Sequence, residues 1–341
     1  MIGVLITGCS MHSYDLIRVL RNNHDGEAIH VVGINCDENA LLRKGVDAGY
    51  VVPRITEPDY LPTVLDICQK EKVNVIMPYI TAELPIMAEN RAFFEESGIR
   101  VSVSSPESLM KAGNKVTLSE RFAGVMPKQA IVRSVEDCLR FAATVGYPDK
   151  RICCKLTDKC GGVGFCVVDE TLALDMTLFN KFGQNRFITL AMLLQFVSAT
   201  DETVILQEYE EGHDYSMCGL ADNGKLLYAL GFEAMVSAFG SAMAAKINQN
   251  PEALRITEDV VAETGLDGNF CCDFILKEDG DVKLLEINPR LTATLPFIAE
   301  AGLNLPYLRI AQLLGEDISG QRFDINYALK MSKNYESEYF V

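Results

Sequence analysis

Two carboxylates in the C-terminal third, Asp273 and Glu286, can be placed opposite each other from the sequence alone. Apolar runs at 270–277 and 282–287 flank Asp279-Gly280, and such a pair between apolar runs predicts a β-hairpin. If Asp279-Gly280 is a two-residue loop, counting back along both strands brings Asp273 directly opposite Glu286. Two acids would then lie side by side on one face of a sheet.

A pair of facing acids is unfavourable unless a cation compensates it. Asn288 falls on the same face because strands have a period of two. Carboxylate and amide oxygens suit Mg²⁺, which also binds phosphates. The alternative is a solvated hairpin edge with incidental acids, and the cation Arg290, which follows in the same segment, makes that alternative weaker.

A second candidate is a glycine-bearing loop between two predicted strands. Lys155 ends the first strand, and Gly161, Gly162 and Gly164 follow in the loop. Closely spaced glycines let backbone N–H groups approach a phosphate, and the lysine can point at the same anion. The loop lacks the Gly-Lys-Ser/Thr of a Walker motif, so an ordinary glycine-rich hairpin stays open as the alternative.

A third candidate is the segment 207–215, which ends one predicted strand and begins the next. Such a hinge exposes backbone amide and carbonyl groups that can read an adenine edge, and Asp214 could hold a ribose diol. A charged surface turn is the alternative.

The composition narrows the class of protein. A chain of 341 residues with 48% hydrophobic content suits two or three domains. A net charge of −16 argues against nucleic acid and anionic lipid as partners. No apolar run reaches the roughly 18 residues of a membrane span, and the N-terminus reads as a strand, not a signal peptide. Eleven cysteines without a CxxC pair favour reduced thiols in a cytoplasmic protein.

The first third alternates strands and helices, which predicts a parallel α/β sheet. Strands are expected at 2–7, 29–35, 48–53, 73–78 and 100–104, and helices at 14–22, 60–70 and 84–97. Gly8 lacks the companions of a GxGxxG fingerprint, so a nicotinamide-dependent oxidoreductase is a weak alternative.

The class changes near residue 106 to α+β with hairpins. One helix is expected over 106–125, with Asn114-Lys115 in its middle. Further helices are expected at 135–145, 169–182, 253–264, 296–301 and 307–314, and strands at 130–133, 151–155, 165–168, 204–209, 215–221 and 226–232. Residues 190–196 fit helix or strand, and the last 20 or so residues read as a packed tail.

Five spaced elements together resemble the ATP-grasp superfamily, in its carbamoyl-phosphate-synthase-like branch. They are Asn114-Lys115, Lys155 with its glycines, the hinge 207–214, Asp273, and the string Glu286-Ile287-Asn288-Pro289-Arg290. The resemblance implies a Rossmann-like α/β pre-ATP-grasp domain followed by a two-part α+β ATP-grasp domain. The expected ranges are 1–108 for the first domain, 109–205 for a lid subdomain with its helical lead-in, and 206–341 for a C-terminal subdomain with the metal-binding hairpin.

The resemblance also implies a role for each residue. ATP would be bound by Lys115, Lys155, Gly161, Gly162, Gly164, Gln207, Glu208, Tyr209, Glu210 and Asp214, with the glycines forming a lid over the phosphates. One or two Mg²⁺ ions, or Mn²⁺ instead, would be held by Asp273, Glu286 and Asn288. Arg290 and Lys155 would be catalytic, with Arg290 stabilising the phosphoryl group in transfer.

The implied activity is an ATP-dependent ligase that turns a carboxylate into an acyl phosphate for attack by an amine or another nucleophile. Its partners would be a small-molecule carboxylate and an amine. The oligomeric state stays open, with a homodimer as the assembly that the family suggests. Two alternatives stay open: a nucleotide-binding regulatory protein with a degenerate site, and a biotin-carboxylase-like carboxylase.

The chain departs from the family pattern in three places. Leu156 stands where proline is common after the lysine, and Val163 where serine is common in the loop. The region 235–248, where relatives often carry basic residues for the acceptor, has only Lys246. The acceptor site is therefore the least defined part of the prediction.

Overall fold

The computed structural model describes residues 1–156, 164–173, 186–238 and 241–334, which form three sheets. The first sheet is parallel, in the order β3-β2-β1-β4-β5. Its strands are β1 (Ile2–Ile6), β2 (Ile29–Asn35), β3 (Ala48–Val51), β4 (Val75–Met77) and β5 (Arg100–Val101). The predicted parallel α/β domain is confirmed.

Apolar residues alternate between two cores on either side of the first sheet. Val4 and Ile6 of β1 pack with one core, and Leu5 packs with the other. Both faces are covered, which explains the continuous apolar strands. The helices of this domain are α1 (Tyr14–Arg21), α2 (Tyr60–Glu71), α3 (Leu84–Glu89) and α4 (Arg91–Glu95). The helix expected over 84–97 is broken at Asn90, whose side chain donates to the Ile86 carbonyl at 2.8 Å.

The single helix expected over 106–125 is wrong. The structure has α5 (Pro106–Gly113) and α6 (Lys115–Arg121), separated by Asn114. The Asn114 side chain accepts hydrogen bonds from the N–H groups of Val116 and Thr117 at 2.9 and 3.1 Å. It therefore caps the second helix from a non-helical backbone conformation, and Lys115 begins a new helix.

The second sheet has the order β6-β10-β7-β8-β9. Its strands are β6 (Gln129–Val132), β7 (Ile152–Leu156), β8 (Phe165–Val168), β9 (Phe187–Ile188) and β10 (Val204–Glu208), and its helices are α7 (Val135–Val145), α8 (Glu170–Ala173) and α9 (Leu190–Ala199). The ambiguous segment 190–196 is helical, with Thr189 as its cap. Of the helix expected over 169–182, residues 174–182 lie outside the described ranges.

The third sheet is antiparallel, in the order β15-β14-β11-β12-β13-β16. Its strands are β11 (His213–Asp222), β12 (Lys225–Ala238), β13 (Ser241–Ile247), β14 (Gly268–Leu276), β15 (Val282–Asn288) and β16 (Lys330–Ser332). Helices α10 (Pro251–Thr264), α11 (Leu295–Glu300) and α12 (Leu305–Leu313) accompany it. The C-terminal tail thus adds an edge strand that the sequence did not predict.

A buried ion pair beside the third sheet is hydrogen-bonded to two serines of the first domain. Arg309 of α12 binds Asp267 through both terminal nitrogens at 2.9 and 2.8 Å, and its Nε donates to Ser102 at 3.3 Å. Ser104 also donates to the Asp267 carbonyl at 2.8 Å. These contacts fix the parallel sheet against the domain that carries the acidic residues.

The expected domain boundaries stay predictions. Helix α5 spans the first one and strand β10 the second. None of the helices in the described part of the chain is long and apolar enough to cross a membrane.

Candidate functional site

The predicted pairing of Asp273 with Glu286 is confirmed. The expected two-residue loop is wrong, because Lys277 N–H donates to the Asp281 carbonyl at 2.9 Å and closes a three-residue loop. Gly280 ends that loop at φ +89°, a left-handed conformation that glycine adopts readily.

The longer loop shifts the two strands by one residue, and a β-bulge restores the register. Next to the turn Phe274 lies opposite Leu284, whereas past the irregularity Asp273 lies opposite Glu286. Leu285 is the extra residue of this bulge. Bulges re-aim side chains beside functional sites, and this one keeps the two acids on the same face.

A row of polar side chains crosses three neighbouring strands. Ser216 on β11 lies opposite Asp273 and donates to its Oδ1 at 2.6 Å. Asn288 Nδ2 donates to Asp273 Oδ2 at 2.9 Å and to Glu286 Oε1 at 3.3 Å. We call Ser216, Asp273, Glu286 and Asn288 the acidic row. Ser216 was not predicted from the sequence, because its partner Asp273 is 57 residues away.

None of the four residues of the acidic row carries a positive charge. Burial, and then the neighbouring Glu286 carboxylate, raise the pKa of Asp273 to about 7. The Asn288 amide occupies the position between the two carboxylates and donates to both. A cation there would relieve the repulsion directly.

The donor chemistry of the acidic row fits Mg²⁺. The described residues contain no group of three or more His, Cys, Asp or Glu side chains suited to a metal, so the set is two carboxylates and one amide. All three side chains offer the hard oxygen ligands that Mg²⁺ prefers. Asn288 would have to rotate its amide to present oxygen to the ion.

Arg290 extends from the acidic row to the first domain. Its Nη2 donates to Asn288 Oδ1 at 3.3 Å and its Nη1 to the Leu291 carbonyl at 2.8 Å. Its Nε donates to Thr81 Oγ1 at 2.7 Å, across 209 residues of sequence. Thr81 is a site residue that sequence reasoning missed.

A buried carboxyl group holds the turn that carries Thr81. Glu83, 5% exposed, ends a short 3-10 turn at the carboxyl end of β4. It accepts hydrogen bonds from Thr7 Oγ1 and from Tyr60 OH, and burial raises its pKa. The carboxyl edge of the parallel sheet is therefore rigidly built where it meets Arg290.

The two lysines predicted for the phosphates meet at the end of β7. Lys115 Nζ donates to the Leu156 carbonyl at 3.1 Å, and Lys155 is the preceding residue of the strand. Gly164, at φ +73°, packs so closely that a Cβ would lie 2.9 Å from the Leu156 side chain. Gly161 and Gly162 lie outside the described residues.

Gln207 shares a sheet face with Lys155, one of the two lysines predicted to bind phosphate. It pairs with Cys153, two residues before Lys155, across the β7–β10 ladder. Its side chain is buried and its Nε2 donates to Gln129 Oε1 at 3.2 Å. A candidate adenine contact and a candidate phosphate contact thus line one surface.

The other hinge residues are held by basic partners or hydroxyls. Glu208 pairs with Lys150 at 2.7 Å and Glu210 with Lys277 at 3.2 Å. The Arg151 guanidinium lies 4.6 Å from the centre of the Tyr209 ring. Asp214 accepts a hydrogen bond from Ser237 at 2.9 Å. Asp214 lies on β11, the strand that also carries Ser216. The described hinge therefore joins the second sheet to the acidic row.

The order of the sheets and the site residues define the class of an ATP-grasp protein. Residues 4–102 match a family model described as "PylC-like, N-terminal domain". Residues 200–335 match one described as "ATP-grasp in the biosynthetic pathway with Ter operon". The predicted resemblance to the ATP-grasp superfamily is therefore confirmed, with the ATP-grasp model lying over residues 200–335.

Its curated relatives include large chains of carbamoyl phosphate synthase. That of Pseudomonas putida is 22% identical over 283 residues, which cover 77% of this chain and 24% of the relative. That of Clostridium botulinum (strain Kyoto / Type A2) is 23% identical over 296 residues, covering 83% and 25%. The chain therefore spans about a quarter of the length of these relatives.

Solved structures share the fold at low identity. The biotin carboxylase domain of Hydrogenobacter thermophilus 2-oxoglutarate carboxylase, a dimer with MgADP and bicarbonate, gives a TM-score of 0.68 at 19% identity, covering 96% of this chain and 73% of that one. N5-carboxyaminoimidazole synthetase of Staphylococcus aureus with ADP gives 0.66 at 12%, covering 93% and 78%. The L-amino acid ligase of Bacillus licheniformis gives 0.61 at 12%, covering 92% and 74%.

Proposed function

We propose that the protein is an ATP- and Mg²⁺-dependent ligase. It converts a carboxylate into an acyl phosphate, which an amine or another nucleophile then attacks, releasing ADP and phosphate. The observation that carries the proposal is the acidic row with Arg290 beside it, because Asn288 contacts both acids and the arginine.

The chemistry of phosphoryl transfer explains why such a set is needed. The transition state spreads negative charge over phosphate oxygens, and catalysis depends on positioning and charge neutralisation. Mg²⁺ held by Asp273, Glu286 and Asn288 would supply neutralisation at the phosphates. Arg290 supplies a second positive charge, and its hydrogen bond to Thr81 keeps the guanidinium oriented.

The nucleotide is proposed to lie between the second and third sheets. Lys115 and Lys155 would bind its phosphates from the end of β7, with Gly161, Gly162 and Gly164 as the lid. Gln207, Glu208, Tyr209 and Glu210 would line the adenine pocket, and Asp214 would hold the ribose. The continuous face from Gln207 to Lys155 supports this direction for the nucleotide.

The retained phosphoryl-transfer residues favour a catalyst over a regulatory nucleotide binder. A protein that only binds ATP does not need an arginine and two acids that are linked through one amide, as Asn288 links Arg290 to Asp273 and Glu286. A biotin-carboxylase-like carboxylation would use the same nucleotide site with bicarbonate as the activated acid. We propose the carboxylate–amine reaction, acting on small molecules in a cytoplasmic homodimer.

A pooled assay tests this proposal. Purified protein is incubated with MgATP and pools of carboxylic acids, with and without amines, and ADP is measured. Hydroxylamine is added in parallel, because it converts an acyl phosphate into a hydroxamate. We expect ADP and hydroxamate to rise together with one pool. Tight ATP binding with no ADP from any pool would favour the regulatory binder, and ADP with bicarbonate alone would favour the carboxylase.

A further inference from the structure

Lys333 lies between the third sheet and the loop that follows Arg290. It comes directly after β16, and its backbone N–H donates to the Met243 carbonyl at 2.8 Å. Its Nζ donates to the Ala293 carbonyl at 3.0 Å and to Ser241 Oγ at 3.4 Å. The ammonium group is thus held in place by neutral oxygens.

No carboxylate among the described residues lies within ion-pair distance of Lys333 Nζ. Burial lowers the pKa of Lys333, and the charge of Asp15 opposes that shift. Asp15 is itself half-exposed and is paired with Arg18 at 3.5 Å. A partly buried ammonium without a counter-ion is costly, which points to an anionic ligand.

Lys246 is the contrasting case on the neighbouring strand. It is the one basic residue in the region 235–248, where relatives often bind the acceptor. Its Nζ lies 3.0 Å from Glu233, whose side chain is 15% exposed, and the lysine itself is 42% exposed. Its charge is therefore already compensated, whereas that of Lys333 is not.

Two groups of the first domain, Tyr79 and His12, lie within the electrostatic influence of Arg290 and Lys333. Tyr79 OH donates to the His12 carbonyl at 3.0 Å, which joins the loops after β4 and β1. Burial, and then the charge of Lys333, lower the pKa of His12. Burial raises the pKa of Tyr79, and the charge of Arg290 opposes that shift. The charges of two cations, Arg290 and Lys333, thus act on one hydrogen-bonded pair of the first domain, Tyr79 and His12.

We propose that Lys333 binds an anionic group of the small-molecule substrate, at a subsite distinct from the acidic row. The substrate is then a carboxylic acid with a second anionic group, one end near Arg290 and the other against Lys333. This proposal rests on the proposed ligase function. It assigns the acceptor role to a lysine of the C-terminal tail, because Lys246, the only basic residue of the region 235–248, is already paired with Glu233.

The test uses three probes that share a propionate chain and differ only in the group at its far end. Succinate has a second carboxylate, 3-phosphonopropionate has a phosphonate in its place, and butyrate has neither. Binding of each to the full chain loaded with MgADP is measured by calorimetry. We expect butyrate to bind at least tenfold more weakly than one of the dianions, and the better dianion identifies the second group as carboxylate or phosphonate-like.

Variants then assign the binding to Lys333. Lys333→Met is expected to weaken dianion binding at least tenfold, and Lys333→Arg to restore part of it. Lys330→Met, which changes an exposed lysine at the start of the preceding strand β16, is the matched control. MgADP affinity should be unchanged in all three. Equal binding of butyrate and both dianions, or full dianion binding by Lys333→Met, would overturn the proposal.

Different results would refute the ligase function and the Lys333 subsite. Dianion binding that depends on Lys333, without ADP release from any pool, would preserve the subsite and remove the ligase. With an active carboxylate identified, Lys333→Met should raise KM at least tenfold with little change in kcat. A loss confined to kcat would contradict a role in substrate binding.

Discussion

The acidic row is assembled differently from the set of Arg290, Thr81 and Lys333, which we call the cationic side. The acidic row comes from three adjacent strands, and its members contact each other directly. The cationic side comes from distant segments: Arg290 after β15, Thr81 after β4, and Lys333 after β16. One side is a feature of a single sheet, and the other exists only when two domains and the tail are docked.

This difference suggests that the acidic row serves the chemical step and that the cationic side serves substrate binding. A row built into one sheet keeps its geometry through small domain movements, which suits groups that must hold phosphates in a fixed position. A side built from several segments can change as the domains adjust, which suits a substrate subsite. Variants should therefore affect the two sides in different kinetic parameters.

Glu286→Gln should have the largest effect, because it removes one charge of the acidic row and keeps its shape. We expect Mg²⁺-dependent ADP release to fall by about 10²–10³-fold or more, on the scale of losing one group that neutralises transition-state charge. Circular dichroism and thermal unfolding should be unchanged. Glu278→Gln, an exposed acid in the loop of the same hairpin, is the control. Normal turnover by Glu286→Gln would refute the metal assignment.

Arg309→Met tests whether the cationic side depends on domain docking. The Arg309 and Asp267 side chains are 3% and 11% exposed, so the variant leaves a buried carboxylate unpaired. Such a loss costs about 3–5 kcal/mol of unfolding free energy, measured by urea denaturation. Arg255→Met breaks an ion pair whose side chains are 52% and 50% exposed, and should cost under about 1 kcal/mol. Equal costs for both variants would show that the buried pair does not hold the domains.

The part of the site that local sequence determines was predictable. The facing acids were found because both lie in one hairpin, but two errors cancelled: the loop is one residue longer than expected, and the bulge at Leu285 absorbs that residue. The break at Asn114 was missed because the apolar pattern continues through it, whereas a side-chain cap decides the backbone there.

The distant contributors could not be predicted from the sequence. Nothing local to Thr81 or Lys333 indicates chemistry, since each depends on tertiary contacts across the molecule. Strand β13 was not predicted because its sequence is rich in alanine, which has weak strand preference. Its partner β16 is only three residues long and follows from that pairing.

Lys155→Ala compares the nucleotide side with the acidic row. Removing one cation from the proposed phosphate site should weaken ATP binding roughly tenfold, the scale of one hydrogen bond to a charged group. The loss should appear with and without Mg²⁺, whereas Glu286→Gln should affect only the Mg²⁺-dependent part. Calorimetry with a non-hydrolysable ATP analogue measures both, with exposed Lys225→Ala as the control. Unchanged affinity would remove Lys155 from the phosphate site.

Thr81→Val should have the smallest effect, and it tests most directly whether the first domain belongs to the active site. The variant keeps the shape of the side chain and removes the acceptor of the 2.7 Å hydrogen bond from Arg290 Nε. One such bond is worth about 1 kcal/mol, or roughly fivefold, and we expect the loss in kcat because we propose that Arg290 contacts the phosphoryl group in transfer. Thr56→Val, on an exposed turn of the same domain, should change nothing. A change in KM alone would instead place Thr81 with Lys333 on the substrate-binding side, and the boundary between the two sides would then run through Arg290.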